Sequence, residues 1–221
     1  WQQLAEFAAG DPEFRQRLKR SVRRILAVKL AYLKSDPEAE PKSPEAVPGP
    51  IPSAGAWEFF QQSALRSVTL IRDRDFPLEP SGNKRMLLVG QFGEFLEEGG
   101  LRYPDADTLL FPYSPFYFAR SADLERVSRI ASGYEVVVFC LANYNSLEVL
   151  ETLRSYSGTL AVISTLSPVY LRETPWVQTA VAVYGTGRES FRAGFAALAG
   201  DFEPEGRIPV DFLDGYPVDT P

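Results

Sequence analysis

The chain has 221 residues, of which 45% are hydrophobic and 24% charged, and its 23 basic and 29 acidic side chains give a net charge of −6. This composition is typical of a globular domain and excludes collagen, low-complexity disorder and a disulfide scaffold. Because the chain has one cysteine, Cys140, and no histidine, most metalloenzyme, Ser-His and Cys-His active sites are excluded, and we predict neither a metal site nor a cofactor.

The first predicted element is an amphipathic helix over residues 12–34. Its apolar residues recur at helical spacing, and Asp11, Pro12 and Glu13 supply an N-cap, a first-turn proline and a favourably placed acid. Residues 15–34 hold eight basic and no acidic side chains, which leaves 15 basic against 29 acidic residues elsewhere. Such a helix can lie on an anionic membrane or on nucleic acid. We favour packing against a neighbouring domain, because the acidic remainder of the chain would repel those other partners.

A proline-rich segment follows this helix. Residues 36–52 contain six prolines, too many for a helix or a central strand. We therefore predict a stiff linker over residues 35–55, between a helical segment (1–34) and a folded domain (56–221). Recognition of the segment by a proline-binding module is an alternative, although spacers between domains are more common.

From residue 56 onward, apolar strands alternate with amphipathic helices. The longest apolar run, residues 136–142, is about a third of the length that spans a bilayer, so no membrane span is predicted. Its uninterrupted apolar character fits a central strand covered on both faces. The alternation predicts an α/β sandwich, a mostly parallel sheet flanked by helices. Predicted helices cover residues 57–65, 122–131, 147–153 and 190–198, and predicted strands cover 68–71, 85–89, 109–110, 136–141, 160–164 and 179–184.

Two glycine-containing loops follow strands. The first, GTGRES at residues 185–190, resembles a phosphate-binding loop, but it lies in the last βα unit and has Ser190 in place of the third glycine. We therefore favour a tight turn with a helix cap. The second, GQFG at residues 90–93, is predicted to lie at the carboxyl edge of the sheet, where open α/β sheets place ligands.

Four other side chains near the predicted sheet are reactive in principle. Glu94, Glu97 and Glu98 are potential acid or base groups, but such a charge cluster is more often a solvated helix face. Cys140 falls inside the most apolar strand and is interpreted as a small buried hydrophobe rather than a nucleophile.

Three segments, in the correct order, resemble the C-terminal half of family 3 glycoside hydrolases, the bacterial β-N-acetylglucosaminidases and β-glucosidases. SVRRILAVK at residues 21–29 resembles the helix with which these enzymes leave their catalytic barrel. ALRSVTLIRD at 64–73 with FPL at 76–78 resembles the entry into their second domain, and GRIPV at 206–210 resembles its closing segment. SPVYL at 167–171 is a looser match.

The resemblance also implies what the chain lacks. In the family the nucleophilic Asp lies in an N-terminal (β/α)₈-type barrel, and nothing here corresponds to it. The β-glucosidase branch adds an acid/base Glu after the central strand. Here that stretch reads LANYNSLE at 141–148 and does not match, so Glu148 is interpreted as a helix-surface residue. The stretch resembles instead the N-acetylglucosaminidase branch, whose acid/base is a His–Asp pair on a barrel loop. No catalytic, cofactor-binding or metal-binding residue is therefore predicted in this chain.

The favoured hypothesis is a non-catalytic C-terminal domain of a family 3 β-N-acetylhexosaminidase-like enzyme. Its expected partners are the N-terminal barrel of the same polypeptide and the carbohydrate substrate of the parent enzyme, a terminal β-linked N-acetylhexosamine hydrolysed with retention. No nucleic acid partner is predicted. A second hypothesis is a free-standing α/β domain that binds a small ligand or a protein at its carboxyl edge. An inactive relative of the family is a third, and the compartment is left open.

Overall fold

The computed structural model describes residues 2–35, 52–78, 84–112 and 121–208. The chain divides into two compact units, Trp1–Ser53 and Ala54–Pro221. Most of the predicted linker, residues 36–51, and the last two residues of the closing motif, 209–210, lie outside the described residues. In the part of the chain that is described, no helix is long and apolar enough to cross a membrane.

The first unit contains two helices, α1 (Gln2–Gly10) and α2 (Pro12–Ser35). The predicted cap of α2 is confirmed, since the backbone N–H groups of Glu13 and Phe14 donate to Asp11 Oδ1 at 2.9 and 3.0 Å. Arg15 donates through Nε to the carbonyl of Ala8, 2.8 Å away, and so satisfies a carbonyl at the end of α1. No residue of 12–32 is buried. The first unit therefore leaves the apolar stripe of α2 exposed.

The second unit is the predicted α/β sandwich. Its six strands lie in the order β1-β6-β5-β4-β2-β3, and every neighbouring pair is parallel except β1 with β6. The elements are α3 (Ala56–Ser67), β1 (Thr69–Asp73), β2 (Met86–Gly90), α4 (Gly93–Arg102), β3 (Asp107–Leu110), α5 (Ser121–Ala131), β4 (Val136–Leu141), α6 (Tyr144–Glu151), β5 (Thr159–Ser164), a 3-10 helix (Pro168–Glu173), β6 (Thr179–Ala182) and α7 (Arg188–Leu198).

Helices cover both faces of this sheet. On one face α3, α4 and α7 bury a core that includes the edge-to-face pair of Phe95 and Phe191, 5.6 Å between ring centroids. On the other face α5, α6 and the 3-10 helix bury a core that includes the stacked rings of Phe111 and Phe139. All six residues of β4 are buried, and the strand pairs with β2 on one side and β5 on the other. The predicted central position of this strand is confirmed.

Two helices differ from the sequence-based prediction. No bounds were predicted for helix α4, because Gly93, Gly99 and Gly100 interrupt its apolar pattern, and only the charge cluster at residues 94–98 indicated a helix face there. Gly99 is required by packing: a Cβ there would lie 2.5 Å from the ring of Phe195. Helix α6 begins at Tyr144, three residues before the predicted start at residue 147. The early start is set by the capping box that Asn143 forms with Ser146.

Candidate functional site

The strand order places a crevice at the carboxyl edge of the sheet. The chain passes from β2 outward to β3 and then crosses to β4 on the other side of β2, so the segments that follow β2 and β4 diverge. Open α/β sheets bind ligands at such a switch point. The segments that meet there contribute Gln91 after β2, Pro112 after β3, and Asn143 and Asn145 after β4.

Two side-chain amides converge on one carbonyl in this crevice. Gln91 Nε2 and Asn145 Nδ2 donate to the Pro112 carbonyl oxygen at 3.3 and 3.2 Å. Gln91 is 6% exposed, and its Oε1 is the one buried side-chain oxygen without a hydrogen-bond partner among the described residues. Buried polar atoms are almost always satisfied in folded proteins, so the Gln91 carbonyl stands out as an acceptor available to an N–H or O–H group.

The helix after β4 is fixed from within the crevice. Ser146 N donates to Asn143 Oδ1 at 2.9 Å, and Ser146 Oγ accepts from the backbone N–H groups of Ala142 and Asn143, each at 2.9 Å. These bonds satisfy the first donors of α6 and hold the segment that carries Asn145. Asn143 therefore caps α6, whereas the buried Asn145 uses its amide to bond the Pro112 carbonyl at the crevice.

Two strained turns end the next strands at the same edge. After β5 the N–H of Ser167 donates to the carbonyl of Thr165, and after β6 that of Gly185 donates to Val183, each at 2.7 Å. The middle residues, Leu166 and Tyr184, have φ of 63° and 58°. A bond from residue i+2 back to residue i around a positive φ is the rare, strained form of the γ-turn. Such strain is concentrated at functional sites in proteins, which supports this edge as the candidate site.

The chemistry available in the crevice is neutral. Gln91 and Asn145 contribute amides, and Tyr144 contributes an exposed aromatic ring. Glu94, predicted as a possible acid or base, is exposed in the first turn of α4, and Glu148 is half-buried on α6. No group of acidic or cysteine side chains in the described ranges is arranged to hold a metal ion. The arrangement is suited to hydrogen bonding with a polar ligand.

The prediction that Glu94, Glu97 and Glu98 form a solvated face is wrong for Glu98. Its side chain is 3% exposed and pairs with two arginines of α7. Arg192 donates from Nε to Oε2 at 2.9 Å and from Nη2 to Oε1 at 3.2 Å, and Arg188 donates from Nη1 to Oε1 at 3.3 Å. The hydrogen bonds that Arg192 donates to Glu98 raise the pKa of its guanidinium. This carboxylate joins α4 to α7 and is not placed as an acid or base.

The other predicted candidates behave as structural groups. The tight turn lies at residues 183–185, just before the loop at 185–190, and Gly187 is the N-cap of α7. Glu189 lies beside Gly187, so an acid already occupies the N-terminal turn of α7, which disfavours a phosphate there. Cys140 is fully buried in β4, and burial raises the pKa of its thiol.

Sequence reasoning located part of this site. The sequence predicts that residues 90–93 lie at the carboxyl edge, and the segment 141–148 lacks the acid/base motif of the β-glucosidase branch. The structure brings Gln91 of the first segment and Asn145 of the second together on the Pro112 carbonyl. Sequence reasoning missed Pro112 and both strained turns. The only signal for Pro112 is its place directly after a strand, and Leu166 and Tyr184 are not residue types that predict positive φ.

No protein-family profile and no curated protein matches the chain. Solved structures do match it. A fungal multi-domain family 3 β-N-acetylglucosaminidase has a TM-score of 0.65 and 15% identity, and the match covers 93% of this chain and 24% of that enzyme. A family 3 β-N-acetylglucosaminidase from a Paenibacillus species has a TM-score of 0.63 and 19% identity, with 86% and 38% covered.

A β-glucoside phosphorylase also matches, with a TM-score of 0.57, 21% identity, and 91% of this chain and 39% of that enzyme covered. The chain therefore spans between about a quarter and two fifths of the length of these proteins. At such identities the likeness concerns the fold. The chain has a fold that recurs as one part of family 3 glycoside hydrolases, which confirms at the level of structure the resemblance indicated by its sequence motifs.

Proposed function

We propose that this chain is the C-terminal α/β part of a family 3 glycoside hydrolase and that it supports catalysis without supplying a catalytic residue. The observation that carries the proposal is the agreement of two independent signals. The ordered motifs at residues 21–29, 64–73 and 206–210 resemble that part of the family. The matches to two family 3 β-N-acetylglucosaminidases cover most of this chain but less than half of each enzyme.

The proposal assigns α2 and the proline-rich segment to the exit from a catalytic barrel. Val22, Ile25 and Leu26 of the motif-bearing helix are 44%, 56% and 50% exposed. An amphipathic helix gains most of its stability by packing its apolar face against another element. The barrel that family resemblance implies is the partner that would cover this stripe.

The carboxyl-edge crevice is proposed as a wall of the sugar cleft. Its neutral amides suit contact with hydroxyl or acetamido groups, and the unpartnered Gln91 carbonyl is an acceptor for an N–H or O–H donor. A retaining glycosidase needs a nucleophile and an acid/base about 5 Å apart. The described residues of the crevice offer amides instead of such a pair, which supports a role in positioning.

The substrate proposed for the parent enzyme is a terminal β-linked N-acetylhexosamine. Two grounds support it. The LANYNSLE segment lacks the acid/base motif of the β-glucosidase branch, and the two structural matches with the highest TM-scores given above are β-N-acetylglucosaminidases. The absence of histidine in this chain agrees with an acid/base residue carried by the barrel.

The test uses the longer protein from the reading frame that encodes this chain. Gln91→Ala and Asn145→Ala in that protein are expected to raise the KM for an aryl N-acetyl-β-glucosaminide at least threefold, with a smaller change in kcat. Gln62→Ala, an exposed amide of α3, is the matched control and should leave both constants unchanged. Unaltered kinetics in both crevice variants would exclude the crevice as a cleft wall.

The alternative function is a free-standing α/β domain that binds a ligand or protein at the same edge. It is supported by the same unpartnered Gln91 carbonyl. The upstream reading frame separates the two proposals. An in-frame (β/α)₈-type barrel favours the hydrolase, whereas a stop codon directly before residue 1 favours the binding domain.

A further inference from the structure

A second cavity, of about 450 Å³, opens at the opposite, amino edge of the sheet. It lies at the beginnings of β5 and β6 and beside the turn that follows β1. Its size falls in the range of small-molecule sites. The side chains that matter for its chemistry are those of Arg74, Asp75, Arg154, Tyr156, Trp176 and Gln178.

The register of the sheet creates this cavity. Strand β5 pairs with β4 from Thr159 onward, but its pairing with β6 starts only at Ala161, opposite Thr179. Thr159 and Leu160 therefore have no β6 partner on that side, and both line the cavity. A notch is therefore left at the amino edge beside the first two residues of β5.

Glu151 holds two side chains of the cavity, Arg154 and Trp176, in place. Its carboxylate accepts from Arg154 Nε at 3.0 Å and from Trp176 Nε1 at 3.3 Å. The Arg154 guanidinium carbon lies 5.6 Å from the centroid of the Trp176 ring. The Arg154 guanidinium thus lies over one face of the Trp176 ring, so hydrogen-bond donors and an apolar surface are held next to each other.

The cavity is lined by charges of both signs. Arg74 and Arg154 line it together with Asp75 and Glu135, and the Glu151 carboxylate already pairs with Arg154. None of the hydrogen bonds or ion pairs found among the described residues uses the Arg74 guanidinium. Asp75 Oδ2 accepts the hydroxyl of Thr179 at 3.3 Å, which fixes that carboxylate. An anionic ligand would meet two carboxylates and a cationic ligand two guanidiniums, so the site favours a neutral ligand rich in hydroxyl groups.

We propose that this cavity is a second binding site for a neutral saccharide of one or two sugar units. The sugar's C–H face packs beside Trp176, and its hydroxyls donate to Asp75 and accept from Arg74 and Arg154. The site is separate from the carboxyl-edge crevice and does not depend on the proposed hydrolase function. It would hold a saccharide whether or not the chain is joined to a barrel.

Saturation-transfer NMR and calorimetry on the 221-residue chain test the site, with N-acetylglucosamine, its β-1,4-linked dimer and glucose as probes. We expect a Kd in the millimolar range for at least one probe. Arg74→Gln and Arg154→Gln change exposed side chains and are expected to weaken binding at least fivefold. Arg129→Gln, an exposed arginine of α5, is the matched control and should bind like the wild-type chain.

Three outcomes would overturn the proposal. One is that none of the three probes binds at a probe concentration 50-fold above the expected Kd range. Another is binding that Asn145→Ala abolishes and that both arginine variants retain, because the saccharide would then lie in the carboxyl-edge crevice. The third is displacement of the bound sugar by inorganic phosphate at equal concentration, which would identify an anion site. Binding by a chain whose reading frame has no barrel would support this site while refuting the hydrolase proposal.

Discussion

The buried carboxylate of Glu98 is predicted to be a major contributor to the stability of the α/β unit. Its side chain is 3% exposed, whereas the neighbouring Glu97 is 58% exposed and also pairs with Arg188. Glu98→Gln keeps the shape but removes the charge and turns one acceptor oxygen into a donor that faces an arginine donor. Two adjacent glutamates on one helix thus provide a matched pair of perturbations.

The expected magnitude follows from the contacts. Hydrogen bonds to charged groups contribute about 1.5–3 kcal/mol each. Glu98 accepts from both Arg188 and Arg192, but the two arginines are about half-exposed, so solvent weakens the bonds. We expect Glu98→Gln to lower the free energy of unfolding by about 2 kcal/mol. Glu97→Gln removes an exposed ion pair and should cost less than about 0.5 kcal/mol.

Urea unfolding followed by near-ultraviolet circular dichroism measures the difference. With a denaturant slope of about 2 kcal/mol per molar, Glu98→Gln lowers the urea midpoint by about 1 M and Glu97→Gln by less than about 0.25 M. Equal shifts for the two variants would refute the reasoning, because burial of Glu98 would then have no energetic consequence. So would an unchanged midpoint for Glu98→Gln.

Three further predictions concern single residues. Burial, with a smaller effect of Glu135, raises the pKa of the Tyr156 hydroxyl from 10.0 to about 12. Between these pH values the unfolded state loses the Tyr156 proton while the folded state retains it. The stability contributed by Tyr156 is therefore complete below pH 10 and is lost as the pH rises toward 12. Urea unfolding between pH 10 and 12 should show a fall in the free energy of unfolding that is smaller in Tyr156→Phe than in the wild-type chain. Equal falls in the two proteins would contradict the raised pKa of Tyr156. Cys140 should react with Ellman's reagent only after unfolding, because burial raises the pKa of its thiol, and labelling of the native chain would show that β4 is accessible. Leu166→Gly should leave the free energy of unfolding unchanged or raise it by up to about 1 kcal/mol, because it relieves a positive φ at an exposed site. The control Glu125→Gly in α5 should lower the free energy of unfolding by about 1 kcal/mol, as measured by thermal or urea unfolding. Equal losses of stability in the two variants would argue against strain at Leu166.

The predictable part of the fold is the part that local pattern determines. The six consecutive apolar residues of β4 require cover on both faces, and this single property predicted a central strand and helices on both sides of the sheet. Asp11 predicted the start of α2 because an N-cap acts on the next few residues only. The antiparallel direction of β1 was not predictable, because strand orientation depends on pairing with β6 more than 100 residues away.

The predictions from sequence fail mainly where residues distant in the sequence determine the local structure. Gly99 lowers the helix signal of α4, yet the close approach of Phe195 requires a glycine there. Glu98 belongs to a local sequence that is typical of a solvated face, and its arginine partners lie 90 and 94 residues further along the chain. The start of α6 is predictable from the sequence, because Asn143 and Ser146 stand at capping-box spacing. The prediction followed the apolar pattern instead, which begins only at Leu147.

The central claim is that this chain supports catalysis without supplying a catalytic residue. Its most direct test compares the hydrolysis of an aryl N-acetyl-β-glucosaminide by the isolated 221-residue chain and by the longer protein that contains it. We expect turnover by the longer protein and none above background by the isolated chain, because the proposed function places the nucleophile of a retaining glycosidase outside this chain. Glu94→Gln and Glu148→Gln in the longer protein should retain activity. Turnover by the isolated chain that either substitution abolishes would contradict the non-catalytic assignment and identify that glutamate as a catalytic residue.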